Sequence, residues 1–275
     1  MDAFERTIPE LQAAMASGET TSAALVQQHL DRIAAFDRDG PRLNAMITIN
    51  PSALEEAAEL DREREEKGPR GPLHGIPIVL KDNYDTHDMP TTASAVAMAG
   101  FVPPDDGTQV RKLREAGAIF IGKTNLHEFA RGIETISSLG GQTRNPYDPR
   151  RNPGGSSGGT AAAVAANFAA VGMGSDTCGS IRIPAANNNL FGLRVTQGLS
   201  SRDGIVPLAL TQDVGGPLAR SMIDLVTVLD ATVGADPADP QTIDADEHRP
   251  DSFAEFLDAD ALQGARLGLL TDYLE

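Results

Sequence analysis

Gly71-Pro-Leu-His-Gly-Ile-Pro-Ile-Val-Leu-Lys81-Asp82 holds the reading that decides the fold. Ile76 to Leu80 is a short, wholly apolar run, the pattern of a strand buried on both faces. Lys81 closes it. Val110 to Ala116 reads as a helix, and Ile119 to Ile121 as a second apolar strand ending at Gly122-Lys123. An Ala-rich helix from Ala161 precedes a strand near Val171 to Gly174, and Ser221 to Val233 is helical. Arg266 to Leu270 reads as one more strand. Strands alternating with helices predict an α/β fold.

Upstream, the first 70 residues read mainly as helices. Thr7 and Pro9 signal one start, with Ile8, Leu11 and Met15 at helical spacing. Thr21 or Ser22 caps a second helix, and Ser52 to Lys67 is a charged amphipathic third. Ala45 to Ile49 is strand-like. Pro69 to Pro72 is a turn-rich joint, so the expected division is a helical region over 1–70 and a core over 71–275. Ser137 to Gly159, rich in Gly and Pro, reads as a loop, and Gly234 to Asp251 as an acidic surface connection.

The 275 residues carry 23 Lys+Arg against 39 Asp+Glu, a net charge of −16. An acidic surface argues against nucleic acid and anionic membranes as partners. No run of about 20 apolar residues exists, so a membrane-spanning helix is not expected. The N-terminus lacks a basic and apolar leader pattern, so the expected location is cytoplasmic. With Cys178 as the only cysteine, no internal disulfide can form. Lysine occurs only at 67, 81, 112 and 123, so a lysine base has four candidates.

Three segments bear chemistry. Lys81, at the end of an apolar strand, is placed to lose solvation, which lowers an ammonium pKa towards the range of a base. The alternative is an ion pair with Asp82 or another carboxylate. In Gly154-Gly155-Ser156-Ser157-Gly158-Gly159-Thr160 a glycine-rich turn enters a helix and exposes N–H groups. A phosphate loop would need a Lys-Ser/Thr pair, which is absent. Gly155 to Gly159 formally matches a nucleophile elbow centred on Ser157, but the preceding Asp148 to Pro153 is not strand-like. In Gly174-Ser-Asp176-Thr177-Cys178-Gly179-Ser180-Ile-Arg182-Ile-Pro184 a strand ends, the backbone turns, and a helix follows. Free N–H groups near Ser180 could bind an oxyanion, or the turn could be structural. His127-Glu128 resembles the start of a zinc motif, but Arg131 stands where its second histidine belongs.

Taken together, these segments resemble the amidase signature family of serine hydrolases. Lys81 to Ser156 spans 75 residues and Ser156 to Ser180 spans 24, in keeping with the family. Gly122-Lys-Thr-Asn125, Glu128-Phe129, Arg144-Asn-Pro146, Gly192-Leu193 and Asp213 to Arg220 are further echoes. The resemblance implies a mixed central sheet with helices on both faces. It implies Ser180 as nucleophile, Ser156 (after a cis peptide bond) as bridge and Lys81 as base. The N–H groups of Thr177, Cys178, Gly179 and Ser180 would form the oxyanion hole, supported by Ser157, Asp176 and Arg182. The implied reaction is hydrolysis of a small-molecule amide without metal or cofactor. Ester or carbamate hydrolysis on the same groups is an alternative, and homodimers are common in the family.

Two departures stand out. The family usually has glycine where Cys178 stands, which is tolerable only if the backbone there is not left-handed. Members also usually exceed 400 residues, so the chain is expected to be the N-terminal part of a longer protein, with the sheet incomplete at its C-terminus. A catalytically silent fragment is then a further alternative. Membership of a tRNA-dependent transamidation complex is another, but the family's subunit of that complex usually has Gln where Ile183 stands.

Overall fold

The computed structural model describes residues 1–271. Helix α1 (Ile8–Ala16) starts as its sequence requires: the Thr7 hydroxyl accepts the Glu10 N–H, and the Glu10 carboxylate accepts the Thr7 N–H. Thr21 caps α2 (Ser22–Ile33), which runs into one wider turn to Arg38. Strand β1 (Met46–Ile49) and α3 (Ala53–Lys67) follow. Next come β2 (Pro77–Lys81), α4 (Thr108–Glu115) and β3 (Ile119–Thr124). The expected loop from Ser137 differs at both ends. It opens with a small hairpin, β4 (Ile136–Ser137) and β5 (Gly141–Gln142), and closes where α5 (Gly158–Ala165) begins. The chain then forms β6 (Val171–Asp176), α6 (Arg182–Asn187), β7 (Phe191–Gly192), β8 (Val214–Ala219) and α7 (Met222–Thr232).

One six-stranded mixed sheet runs β1-β3-β2-β6-β8-β7. Its middle strands β3, β2 and β6 are parallel; β1, β8 and β7 are antiparallel to their neighbours. Alternate side chains of β2 and β3 serve opposite faces, as the two-residue period of a strand demands. Ile78, Leu80 and Phe120 join a core with Leu11, Leu113, Leu225 and Val228, from α1, α4 and α7. Val79, Ile119 and Ile121 join another with Val26, Leu60, Ala162 and Val164, from α2, α3 and α5. Helices therefore cover both faces of an α/β sheet. The joint at 69–72 is crossed by these shared cores and by the pairing of β1 with β3.

The expected strand Arg266–Leu270 is not formed. Leu267, Leu269 and Leu270 are 79%, 74% and 75% exposed. An apolar run becomes a strand only when a neighbour accepts its ladder of hydrogen bonds, and no described strand lies beside this one. No helix among the described residues is long and apolar enough to cross a membrane.

The parallel order places the carboxyl ends of β2, β3 and β6 on one edge, and α5 starts against it. Gly159 sits where that approach is tightest. A Cβ there would lie 2.1 Å from the Asn125 carbonyl oxygen and 2.8 Å from that of Ala45. Both are backbone atoms engaged in hydrogen bonds: Gly159 N–H donates to Asn125, and Asn125 N–H to Ala45. Gly159→Ala should therefore destabilise the fold by about 3 kcal/mol, read as a lower denaturant midpoint.

Candidate active site

Lys81 is the last residue of β2, fully buried. Its Nζ lies 2.7 Å from Ser156 Oγ, 2.9 Å from Ser175 Oγ and 3.3 Å from the Ser175 carbonyl oxygen. Burial lowers its pKa to about 7, against the opposing pull of the Asp176 and Asp213 carboxylates. The alternative partner Asp82 faces away: Lys123 Nζ lies 3.7 Å from it, and the Thr92 hydroxyl and Ser94 N–H donate to it.

Ser156 and Ser157 form the approach to α5, and the Gly155–Ser156 peptide is cis. Gly154 has φ +80°, in the region that favours glycine. Ser157 stitches this loop to β6. Its hydroxyl donates to the Ser175 carbonyl at 3.1 Å and accepts the Ser175 N–H at 3.3 Å. Its own N–H donates to the Ser180 carbonyl at 3.1 Å, tying the loop to the turn after β6. Among the described residues the Ser157 hydroxyl makes no direct hydrogen bond to Lys81; Ser175 lies between them.

Asp176 organises that turn. Its buried carboxylate accepts the Gly179 N–H at 2.8 Å and the Ile181 N–H at 3.0 Å. Arg182 Nε and Arg194 Nη1 lie 3.2 Å and 3.1 Å from it. Against burial, which raises it, the Arg182 guanidinium and the Ile181 and Gly179 N–H groups hold its pKa down at about 2. One N–H expected to serve an oxyanion, that of Gly179, is therefore already taken. The N–H groups of Thr177, Cys178 and Ser180 have no acceptor among the described residues. Gly179 has φ +131°, whereas Cys178 is outside the left-handed region, so its Cβ is tolerated. The Cys178 thiol is exposed.

Ser180 is 5% exposed, and its hydroxyl has no hydrogen-bond partner among the described residues. The structure thus brings Lys81 and Ser156 into direct contact, and places Ser180 on the turn bonded to Ser157. It does not join the Ser180 and Ser156 hydroxyls. Several participants escaped the sequence reading. Ser175 contacts Lys81, and Asn83 Nδ2 donates to Ser175 Oγ at 3.0 Å. Asp213 and Arg194 brace the turn from another segment. Ser175 and Asp213 stood inside motifs singled out by sequence; nothing marked Asn83 or Arg194.

The Amidase family model matches residues 24–275. A peptide amidase from Stenotrophomonas maltophilia is 54% identical, with a TM-score of 0.85 over 87% of this chain and 50% of that one. A glutamyl-tRNA(Gln) amidotransferase subunit from Acidothermus cellulolyticus is 42% identical over 272 residues, 98% of this chain and 53% of the relative. The solved structure of the corresponding subunit from Thermotoga maritima is 34% identical, with a TM-score of 0.76 over 88% of this chain and 50% of the other. The chain thus spans about half the length of these relatives. Such a match, over nearly the whole chain, means that the chain belongs to the amidase-signature family.

Proposed function

We propose that the protein hydrolyses carboxylic amides to an acid and ammonia or an amine, through an acyl intermediate on Ser180. The observation that carries this is the buried Lys81 amine, 2.7 Å from the Ser156 hydroxyl, on a loop bonded to the turn that bears Ser180. A serine hydroxyl attacks only if a base takes its proton. With its pKa lowered to about 7, Lys81 has a substantial uncharged fraction near neutrality. The two N–H bonds of an uncharged amine can serve Ser175 Oγ and the Ser175 carbonyl, which leaves the lone pair for Ser156 O–H.

In the proposed sequence Ser180 Oγ bonds to the amide carbon while its proton passes to Ser156 and that of Ser156 to Lys81. The resulting oxyanion takes hydrogen bonds from the free N–H groups of Thr177, Cys178 and Ser180. Each such donor supports about 2.7–4 kcal/mol of transition-state stabilisation. Lys81 returns its proton through Ser156 to the leaving nitrogen, the C–N bond breaks, and water releases the acid by the same steps. Ser180 Oγ must close on Ser156 Oγ for this relay, and no competing hydrogen bond holds it away. Catalytic hydrogen bonds are often completed only when substrate binds.

A peptide amide is the substrate class to test first, given the 54% identity to a peptide amidase. The transamidation subunit is the second reading, since curated relatives such as that of Acidothermus cellulolyticus bear that name. Ile183, where that subunit usually has Gln, favours a free-standing amidase; co-purification with a second protein of such a complex would reverse the preference. The deciding experiment is Ser180→Ala in the full-length protein. Turnover should fall by about 10⁴-fold or more, and a fluorophosphonate should label the wild type at Ser180. Turnover retained by the variant rejects the reading.

A further inference from the structure

The chain over 205–213 runs between the two halves of the site. At one end Ile205 bridges to Tyr84, and the Val206 N–H donates to the Asn83 carbonyl at 2.8 Å, two residues beyond Lys81. At the other end Asp213, nearly buried, uses both carboxylate oxygens. Oδ1 accepts the Thr177 hydroxyl at 2.5 Å; Oδ2 accepts the N–H groups of Leu208 and Ala209, each at 2.8 Å. Arg194 makes a parallel tie, donating to Asp176 Oδ1 at 3.1 Å and to the Gln212 carbonyl at 2.7 Å.

We infer that Asp213 is a positioning residue: by holding the Thr177 hydroxyl and the 208–209 backbone at once, it fixes the turn whose free N–H groups receive the oxyanion. Thr177 and Cys178 lie between the end of β6 and the Gly179 N–H, which Asp176 holds. Their own N–H groups carry no bond that would orient them. The Thr177 side chain supplies the anchor, and a charged acceptor makes such a bond stronger and shorter than a neutral one. The same carboxylate, with that of Asp176, is one of two charges that favour the protonated form of Lys81. Among the other groups around Lys81, Ser156 and Ser175 are uncharged, and Asp82 faces Lys123.

The inference rests on the amide-hydrolase reading, and the test keeps the two separable. In the full-length protein Thr177→Val removes the hydroxyl at nearly constant shape. We expect kcat to fall by about tenfold or more, with KM changed less than about threefold, because the loss is confined to the transition state. Thr177→Ser should recover most of kcat. Asp213→Asn keeps a near-identical shape and offers Nδ2 to the Thr177 oxygen and Oδ1 to the two N–H groups. Removing the negative charge disfavours the Lys81 ammonium, so the acid limb of kcat/KM should move to lower pH. A merely structural residue would not move that limb. Wild-type kcat in Thr177→Val, a Thr177→Ser variant as impaired as the valine, or an unmoved limb in Asp213→Asn overturns the inference. Thermal melts identify a variant that has failed to fold; the serine and asparagine variants then decide alone. An active Ser180→Ala variant would instead remove the reading beneath.

Discussion

Lys81→Met should reduce kcat/KM of the full-length protein by about 10³–10⁴-fold, while the wild type shows an acid limb near pH 7. The size follows from the proposed role: general acid–base transfer by one positioned group supports about 10²–10⁴-fold, and in the proposed sequence one amine serves both as base and as acid. The pH dependence follows from burial. Only the uncharged amine accepts a proton, and burial lowers its pKa from 10.5 to about 7. Below that pH, kcat/KM should fall tenfold per unit; above it the profile should flatten. A kcat/KM rising through pH 10 would mean that the lysine is solvated as in water, and would remove it as the base.

The same burial makes a prediction of opposite sign for stability. Below about pH 7 both folded and unfolded chains carry the ammonium, and the folded state bears the full cost of burying it. Between about 7 and 10.5 the unfolded chain binds the extra proton, so this group's contribution to stability rises with pH. Methionine has nothing to protonate. Lys81→Met should therefore lose turnover while holding or raising its melting temperature, with the largest gain below pH 7. A site that gains stability when its base is deleted is one shaped for reaction at some cost to the fold.

Much of this arrangement is legible in the chain because its local chemistry and its tertiary role agree. The apolar runs of β2 and β3 match the pattern of buried strands, Thr7 and Thr21 cap helices at expected starts, and Ser221, read as the first helical residue, caps α7. The failures share a cause: contacts from distant segments. Strand β8 reads Val-Gly-Gly-Pro-Leu-Ala, a poor strand by propensity. Its glycines are there for space. A Cβ on Gly215 would lie 2.5 Å from the Tyr84 hydroxyl oxygen, and one on Gly216 2.4 Å from the Leu193 carbonyl oxygen. Arg266–Leu270 fails in the opposite direction, with suitable residues and no described neighbour. At the site, the family resemblance singled out Lys81, Ser156 and Ser180. It could not show that Asp176 would occupy the Gly179 N–H, since that bond depends on how the turn closes.

A second buried lysine shows how the same physics builds structure. Lys123 is fully buried, and burial lowers its pKa to about 8. Its Nζ lies 3.7 Å from Asp82 and donates to the Tyr84 carbonyl at 2.7 Å, the Pro90 carbonyl at 3.1 Å and the Thr91 hydroxyl oxygen at 2.9 Å. Those bonds fold residues 84–91 back onto the sheet beside Asn83. Lys123→Met strands the Asp82 carboxylate in the core and takes away the donor of the Pro90 carbonyl, while the Tyr84 carbonyl keeps that of the Thr91 hydroxyl. Removing one partner of a buried pair in this way should cost about 3–5 kcal/mol. Adding Asp82→Asn should restore part of that loss, because the second change removes the stranded charge. The double-mutant cycle should therefore be far from additive. The single variant should also recover in acid. Asp82 is already held above the ordinary carboxylate range by burial, and without Lys123 it rises further. The folded state then binds the extra proton, so the deficit of Lys123→Met should shrink as pH falls towards 4. A deficit independent of pH would mean that packing and lost carbonyl bonds, and not the orphaned charge, set the cost.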